Sequence, residues 1–227
     1  MADLPDSSLL KEITSLLSVP EMAVTSELLC AIECQYQRVR DVSVPMSVFS
    51  IFEVEIYDSH IVFDKSFSIK GSNLADICRG CSKAALMAVT IGSGVDTLIR
   101  RSQAQNMSES LILDACASAE TERVADIAEE EIMKSISGSE FLTMRFSPGY
   151  GDVPLCESEK IISALNADKK IGLKMTKTDM LIPLKSITAV IGISATISDR
   201  KKSCSFCSIN KNCIYRKRDE FCGIQNK

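Results

Sequence analysis

The stretch MRFSPGYGD, residues 144–152, brings a cation, a proline, two glycines and a tyrosine into nine consecutive positions. The forked guanidinium of Arg145 suits a carboxylate held through two hydrogen bonds. Pro148 fixes φ, while Gly149 and Gly151 permit unusual backbone angles and close approach. Tyr150 is thereby presented from a rigid turn with its ring available for stacking. An R-x-x-P-G-Y-G loop of this kind is built to hold something flat and anionic at one end. The plainer alternative is a structural turn with Arg145 in a salt bridge.

Other residues bear on chemistry. Glu120 lies in the small-residue stretch DACASAET, where a helix can be approached closely, and an acid there can accept hydrogen bonds from a ligand hydroxyl or ammonium. The remaining acids between Glu122 and Glu131 read as a solvated helix face. TIGSGVD, residues 90–96, has a G-x-G between a strand and a helix but lacks the rest of a dinucleotide fingerprint, so a tight turn is expected. His60 is the single histidine, and nothing around it resembles a nucleophile elbow.

The C-terminal segment is a different object. Residues 199–227 carry eight Lys or Arg against three Asp or Glu, leaving about −9 on residues 1–198. Cys204, Cys207, Cys213 and Cys222 stand there in C-x2-C-x5-C-x8-C spacing. Four thiols on a short, basic, loop-rich segment point to a metal, because such a segment cannot otherwise fold compactly. Zinc would make it a structural or docking knuckle, an iron-sulfur cluster an electron relay, and free redox-active thiols remain the third option. No aromatic-rich stacking surface accompanies the cations, so nucleic acid is not the expected partner.

These residues need elements to position them. A chain of 227 residues, 45% hydrophobic, can bury one substantial core. No apolar run approaches a membrane span, and the N-terminus reads as an amphipathic helix, so a soluble cytoplasmic protein is expected. In that compartment the ten cysteines are buried thiols or metal ligands rather than disulfides. Helical patterns cover about 7–17 and 21–38, the second striped by Met22, Leu28, Leu29, Ile32 and Tyr36. VSVPMSVFSIFEVEIY and SHIVFDKSFSIKGS read as a β-hairpin, with Pro45 at a strand start. NLADICRGCSKAAL has helical spacing, and MAVTIGSG is a short apolar strand closing in a glycine turn. The longest helix is expected over about Ser108–Ser135. FLTMRF forms a strand, ESEKIISALNADKKIG a helix stopped by Gly172, and MLIPLKSITAVIGIS two strands or one strand bent at Pro183. Hairpins without a regular βαβ rhythm predict an α+β fold with a mixed or antiparallel twisted sheet and flanking helices. One domain over residues 1–198 and a basic tail over 199–227 follow.

RFSPGYGDVPL, followed by KIISALNADKKIGLKMTKTDMLIPLKSITAVIGIS, closely resembles the activation domain of cobalamin-dependent methionine synthase. That family joins an R-x-x-P-G-Y loop, a helix, an IG-x-x-x-T segment, an M-x-x-P-x-x-S turn and a final strand. AVTIGSGVDTLIRR and LILDACASAETERVADIAEEEI are similar to it as well, especially to its short stand-alone bacterial members, so the resemblance spans roughly residues 45–195. It implies S-adenosylmethionine bound in a shallow site. Arg145 would contact the methionine carboxylate, with Pro148, Gly149 and Tyr150 in the loop and Glu120 as an acidic residue at the ligand. Ile191 and Gly192 fall where the family also touches ligand, here through backbone alone.

The resemblance further implies a cobalamin module as partner, reduction by a flavodoxin-like donor, and methyl transfer that restores methylcobalamin from cob(II)alamin. The chain is too short to hold the homocysteine, folate and cobalamin modules as well, so it would act in trans and would not make methionine alone. The cysteine tail supports a rival, a metal- or cluster-bearing redox accessory of a corrinoid methyltransferase.

Overall fold

The computed structural model describes residues 5–196. Asp6 accepts the Leu9 N–H and starts α1 (Ser7–Leu16). The stripe expected from residue 21 begins later. Met22 lies fully exposed in a short 3-10 turn, and Thr25, accepting the Leu28 N–H, caps α2 (Ser26–Val42). Pro45 then precedes β1 (Met46–Tyr57), which turns back into β2 (His60–Phe63) and β3 (Phe67–Lys70).

The helical pattern expected over NLADICRGCSKAAL is fulfilled only by α3 (Ser72–Ile77). Gly80 follows at φ +82°, and the alanines belong to β4 (Lys83–Thr90). Both faces of β4 are covered, and burial between two layers overrides the helical preference of alanine. Leu86 and Met87, on opposite faces, are both fully buried, each contributing about 1.5–3 kcal/mol.

Gly92, at φ +86°, opens α4 (Ser93–Gln105). A Cβ on Gly94 would sit 2.8 Å from the Val42 carbonyl oxygen, so the G-S-G turn lets α4 approach the end of α2. Asn106 both ends α4, through its N–H to the Ser102 carbonyl, and caps α5 (Met107–Ser135) with its side chain. The ladder of β5 covers only Phe141–Leu142, after which Phe146 rejoins the sheet through a single bridge to Val190. The helix expected over residues 157–171 is divided where Asn166 takes a left-handed conformation (φ 51°), giving α6 (Ser158–Leu165) and α7 (Ala167–Lys170). Around Pro183 there are two strands. The first, β7 (Leu181–Ile182), pairs with β6 (Lys174–Met175) as a separate hairpin, and the second, β8 (Ser186–Ser194), enters the main sheet.

The main sheet has the order β3-β2-β1-β4-β8-β5, and its ladders are all antiparallel. Alternation along β4 and β8 divides the core. Ala85, Met87, Val89, Ala189, Ile191 and Ile193 pack under α1, α2, α4 and α5. Ala84, Leu86, Ala88 and Val190 pack with Phe146, Val153 and the apolar sides of α3, α6 and α7. This is the expected α+β architecture, an antiparallel sheet with flanking helices. Among the described residues, no helix is long and apolar enough to cross a membrane.

Candidate functional site

Arg145 stands at the β5 edge of the sheet, where the chain leaves β5 and passes along α5. Its Nη2 donates to Glu122 Oε2 at 2.6 Å, and its Nη1 to Asp126 Oδ1 at 3.0 Å and Glu129 Oε2 at 3.3 Å. The three acids lie at i, i+4 and i+7 on α5 and therefore form one row. The guanidinium side chain is 8% exposed, whereas Glu122 and Asp126 are 41% and 62% exposed. Burial opposes the charge on Arg145, but the three carboxylates outweigh it and hold its pKa above the ordinary value. Three carboxylates facing one guanidinium leave an excess of negative charge. A zwitterionic α-amino-acid group matches that arrangement, its carboxylate meeting Arg145 and its ammonium meeting the acids.

The loop that follows is tied at several points. The Gly149 N–H bonds the Val153 carbonyl at 2.9 Å, the Val153 N–H returns to the Tyr150 carbonyl at 3.1 Å, and the Tyr150 N–H reaches the Ser147 carbonyl at 3.3 Å. Gly149 and Gly151 adopt φ of +95° and +56°, the left-handed region that favours glycine. Pro148 is buried beneath the turn, whereas Tyr150 is 61% exposed. Asp152 fastens the loop to the start of α3. Its carboxylate accepts from the Ser72 N–H (2.7 Å), the Ser72 hydroxyl (2.6 Å) and the Asn73 N–H (3.0 Å), and Asn73 Oδ1 accepts the Asp152 N–H in return. Desolvation acts against ionisation of Asp152, yet these donors outweigh it and keep its pKa below the usual carboxylate value.

Not every residue expected at the site is brought to it. Glu120 is two positions before Glu122, about 200° around the helix, and faces the other way. It is fully buried against α2, accepting from Tyr36 Oη (2.9 Å), Arg123 Nε and Nη2 (both 2.8 Å) and Arg40 Nη1 (3.4 Å). Burial, with the Glu120 charge second, pushes the Tyr36 hydroxyl up to about 12. Glu120 thus serves as an internal counter-ion, remote from Arg145.

Ile191 and Gly192 lie inside β8, both buried and paired with Ala85 and Ala84 of β4. Gly192 also exchanges hydrogen bonds with Thr143, and a Cβ there would stand 2.8 Å from Cys81 Sγ. Their backbone is consumed by the sheet, so its geometry explains the glycine without a ligand. At the tip of the β1–β2 hairpin, His60 stacks on Tyr57 with ring centroids 4.8 Å apart. Cys204, Cys207, Cys213 and Cys222 lie outside the described residues. Among the described residues, no group of His, Cys, Asp and Glu is placed to hold a metal.

Sequence reasoning passed over Glu122, Asp126 and Glu129 as a solvated face. Their spacing carried a signal, because acids at i, i+4 and i+7 lie in one row on a helix and can converge on a single cation.

A scan against protein-family models finds no match. A search of curated proteins finds no match either. Among solved structures, the chain is similar to the crystal structure of the MetH reactivation domain bound to AdoHcy, with 15% identity and a TM-score of 0.47 over 94% of this chain and 73% of that one.

Proposed function

We propose that the protein binds S-adenosylmethionine at the Arg145 edge of the sheet and acts in trans on a cobalamin-dependent methionine synthase, supporting reductive methylation of cob(II)alamin. The observation that carries this reading is Arg145 set in the α5 acid row at the head of the tied Pro148–Tyr150 turn. The amino-acid end of the ligand fits that mixture of charges, and the exposed Tyr150 ring offers a surface for the flat adenine. The sequence resemblance of the R-x-x-P-G-Y-G loop supports the same ligand.

S-adenosylmethionine supplies a methyl group already activated by its sulfonium, so the protein needs neither nucleophile nor general base. Its residues contribute position and charge. Arg145 orients the carboxylate, Glu122 and Asp126 the ammonium, and the loop fixes Tyr150. A partner protein carries the cobalamin and a flavodoxin-like donor supplies the electron. The tail cysteines Cys204, Cys207, Cys213 and Cys222 are proposed to hold zinc or an iron-sulfur cluster.

Calorimetric titration with S-adenosylmethionine and with methylthioadenosine, which lacks the amino-acid end, tests the ligand assignment. S-adenosylmethionine is expected to bind at least about tenfold more tightly, a difference of about 1.4 kcal/mol. Equal affinity for the two would remove the charged row from recognition, and binding of neither would sink the proposal.

A further inference from the structure

Among the described residues, no layer covers one surface of the sheet. The helices covering the α5 side of β4 and β8 reach Phe49 on β1 and stop, so the same face further along β1 is open. Ile51, Glu53, Glu55 and Tyr57 are all exposed there, with Val62 and His60 beside Glu55 and Tyr57 across the hairpin. A shallow depression of about 450 Å³ is lined by Glu53, Val54, Glu55, Val62, Asp64 and Lys65. Lys65 lies 3.8 Å from Glu55, and Asp64 accepts the Glu53 N–H at 3.0 Å, so three carboxylates and one cation share the depression.

The path of the chain bears on what covers this face. Glu53 pairs with Lys83, and Lys83 with Ile193, so β8 ends at the same end of the sheet as the open face. Two strand spacings, about 10 Å, separate β8 from β1. Six residues beyond Ser194 comes the run Arg200-Lys201-Lys202, and six extended residues span up to about 20 Å. The first cations of the C-terminal segment are therefore within reach of the depression.

Composition points the same way. Residues 199–227 carry eight cations against three acids, opposite in sign to residues 1–198, and contain Phe206, Ile209, Ile214 and Tyr215 to set against Ile51, Tyr57 and Val62. A segment with that charge and those side chains has a complementary surface at hand on its own chain.

We propose that the basic C-terminal segment folds back over the open β1–β2 face, with Arg200, Lys201 and Lys202 pairing with Glu53, Glu55 and Asp64. This inference is independent of the S-adenosylmethionine reading, since the face lies across the sheet from the β5 edge. It makes the tail the missing layer of the sheet.

Zero-length carbodiimide cross-linking of the full chain tests it, with an equal mixture of ¹⁴N- and ¹⁵N-labelled protein to separate bonds within a chain from bonds between chains. The expected products join Lys201 or Lys202 to Glu53, Glu55 or Asp64 within one chain, and they are lost at about 1 M salt, where the Debye length is about 3 Å. Amide exchange gives a second reading. The full-length Arg200→Glu/Lys201→Glu/Lys202→Glu variant is expected to exchange several-fold faster over residues 51–64, with protection restored by adding Glu53→Lys/Glu55→Lys. Cross-links only to the acids of α5, only between chains, or none at all with unchanged exchange would overturn the proposal. The mixed-isotope outcome would instead assign the face to a second copy.

Discussion

Arg145 Nη2 lies 2.6 Å from Glu122 Oε2, and this ion pair ties the head of the Pro148–Tyr150 turn to the middle of α5. The same guanidinium reaches Asp126 and Glu129 through Nη1, so one side chain sets the loop's distance from three acids. Because the guanidinium is nearly buried while Glu122 and Asp126 are partly exposed, an incoming ligand can reach the carboxylates first. An ammonium binding there would loosen their hold on Arg145 and make room for a carboxylate.

Replacing Arg145 by alanine removes the charge-assisted bonds proposed for the ligand carboxylate. S-adenosylmethionine binding is expected to weaken by about 1.5–3 kcal/mol. Arg145→Lys keeps the charge but loses the fork, so its affinity should fall between the two. Calorimetry measures both, and unchanged affinity in the alanine variant would take Arg145 out of the site.

Glu120→Gln should behave differently. The glutamate is fully buried among Tyr36, Arg40 and Arg123, and its loss leaves the two guanidinium groups facing an uncharged amide. A stability loss of about 3 kcal/mol is expected in chemical denaturation at neutral pH, with ligand affinity unchanged. Desolvation alone would raise the Glu120 pKa, but Arg123 and Tyr36 overcome it and lower it from the ordinary 4.5. A lowered folded-state value means the stabilisation is present above pH 4.5 and is lost as pH falls through the folded value. The gap between wild type and variant should therefore close only in that acidic range. A large affinity loss at neutral pH, without a stability loss, would return Glu120 to the ligand.

The contrast between these two residues shows what the sequence made legible. Helix and strand periodicity located most elements, and the R-x-x-P-G-Y-G spacing marked a tied loop because proline and glycine impose backbone angles locally. The facing of α5 was harder to read. Small residues around Glu120 suggested an approachable surface, but they permit close approach by α2 as readily as by a ligand. The row Glu122, Asp126 and Glu129 resembled an ordinary solvated face until Arg145, remote in sequence, was packed against it. The alanines of β4 were misleading for a related reason, since burial on both sides of a sheet outweighs helix propensity.

Asp152→Ala probes the other anchor of the loop. The side chain accepts three hydrogen bonds from Ser72 and Asn73 at the start of α3. Gly71 at the N-cap offers no side-chain acceptor, so Asp152 stands in for one, and losing such an acceptor costs about 0.5–2 kcal/mol, read as a lower denaturation midpoint. The same change releases the turn carrying Tyr150, so S-adenosylmethionine affinity should fall even though Asp152 is assigned no contact with ligand. Asp152→Asn, which keeps an acceptor, should recover much of the stability. The expected drop in stability with no change in binding would separate the loop from the ligand.

Thiol labelling tests both the packing and the metal proposal. Burial pushes Cys81 up to about 11 and Cys116 up to about 12, with Cys78 higher still, whereas Cys30, Cys34 and Cys156 are exposed. The thiolate is the reacting form, so at pH 8 only about one Cys81 in a thousand is reactive even when reached. Mass spectrometry after brief alkylation should find Cys30, Cys34 and Cys156 modified, and Cys78, Cys81 and Cys116 intact until the protein is denatured. If Cys204, Cys207, Cys213 and Cys222 hold a metal, they too should resist until a chelator is added, when four labels appear together with release of the ion. Zinc in the released fraction would make the tail a structural knuckle, and iron with sulfide would make it an electron relay. Immediate alkylation of all four in freshly purified protein would remove the metal and leave the tail as free thiols.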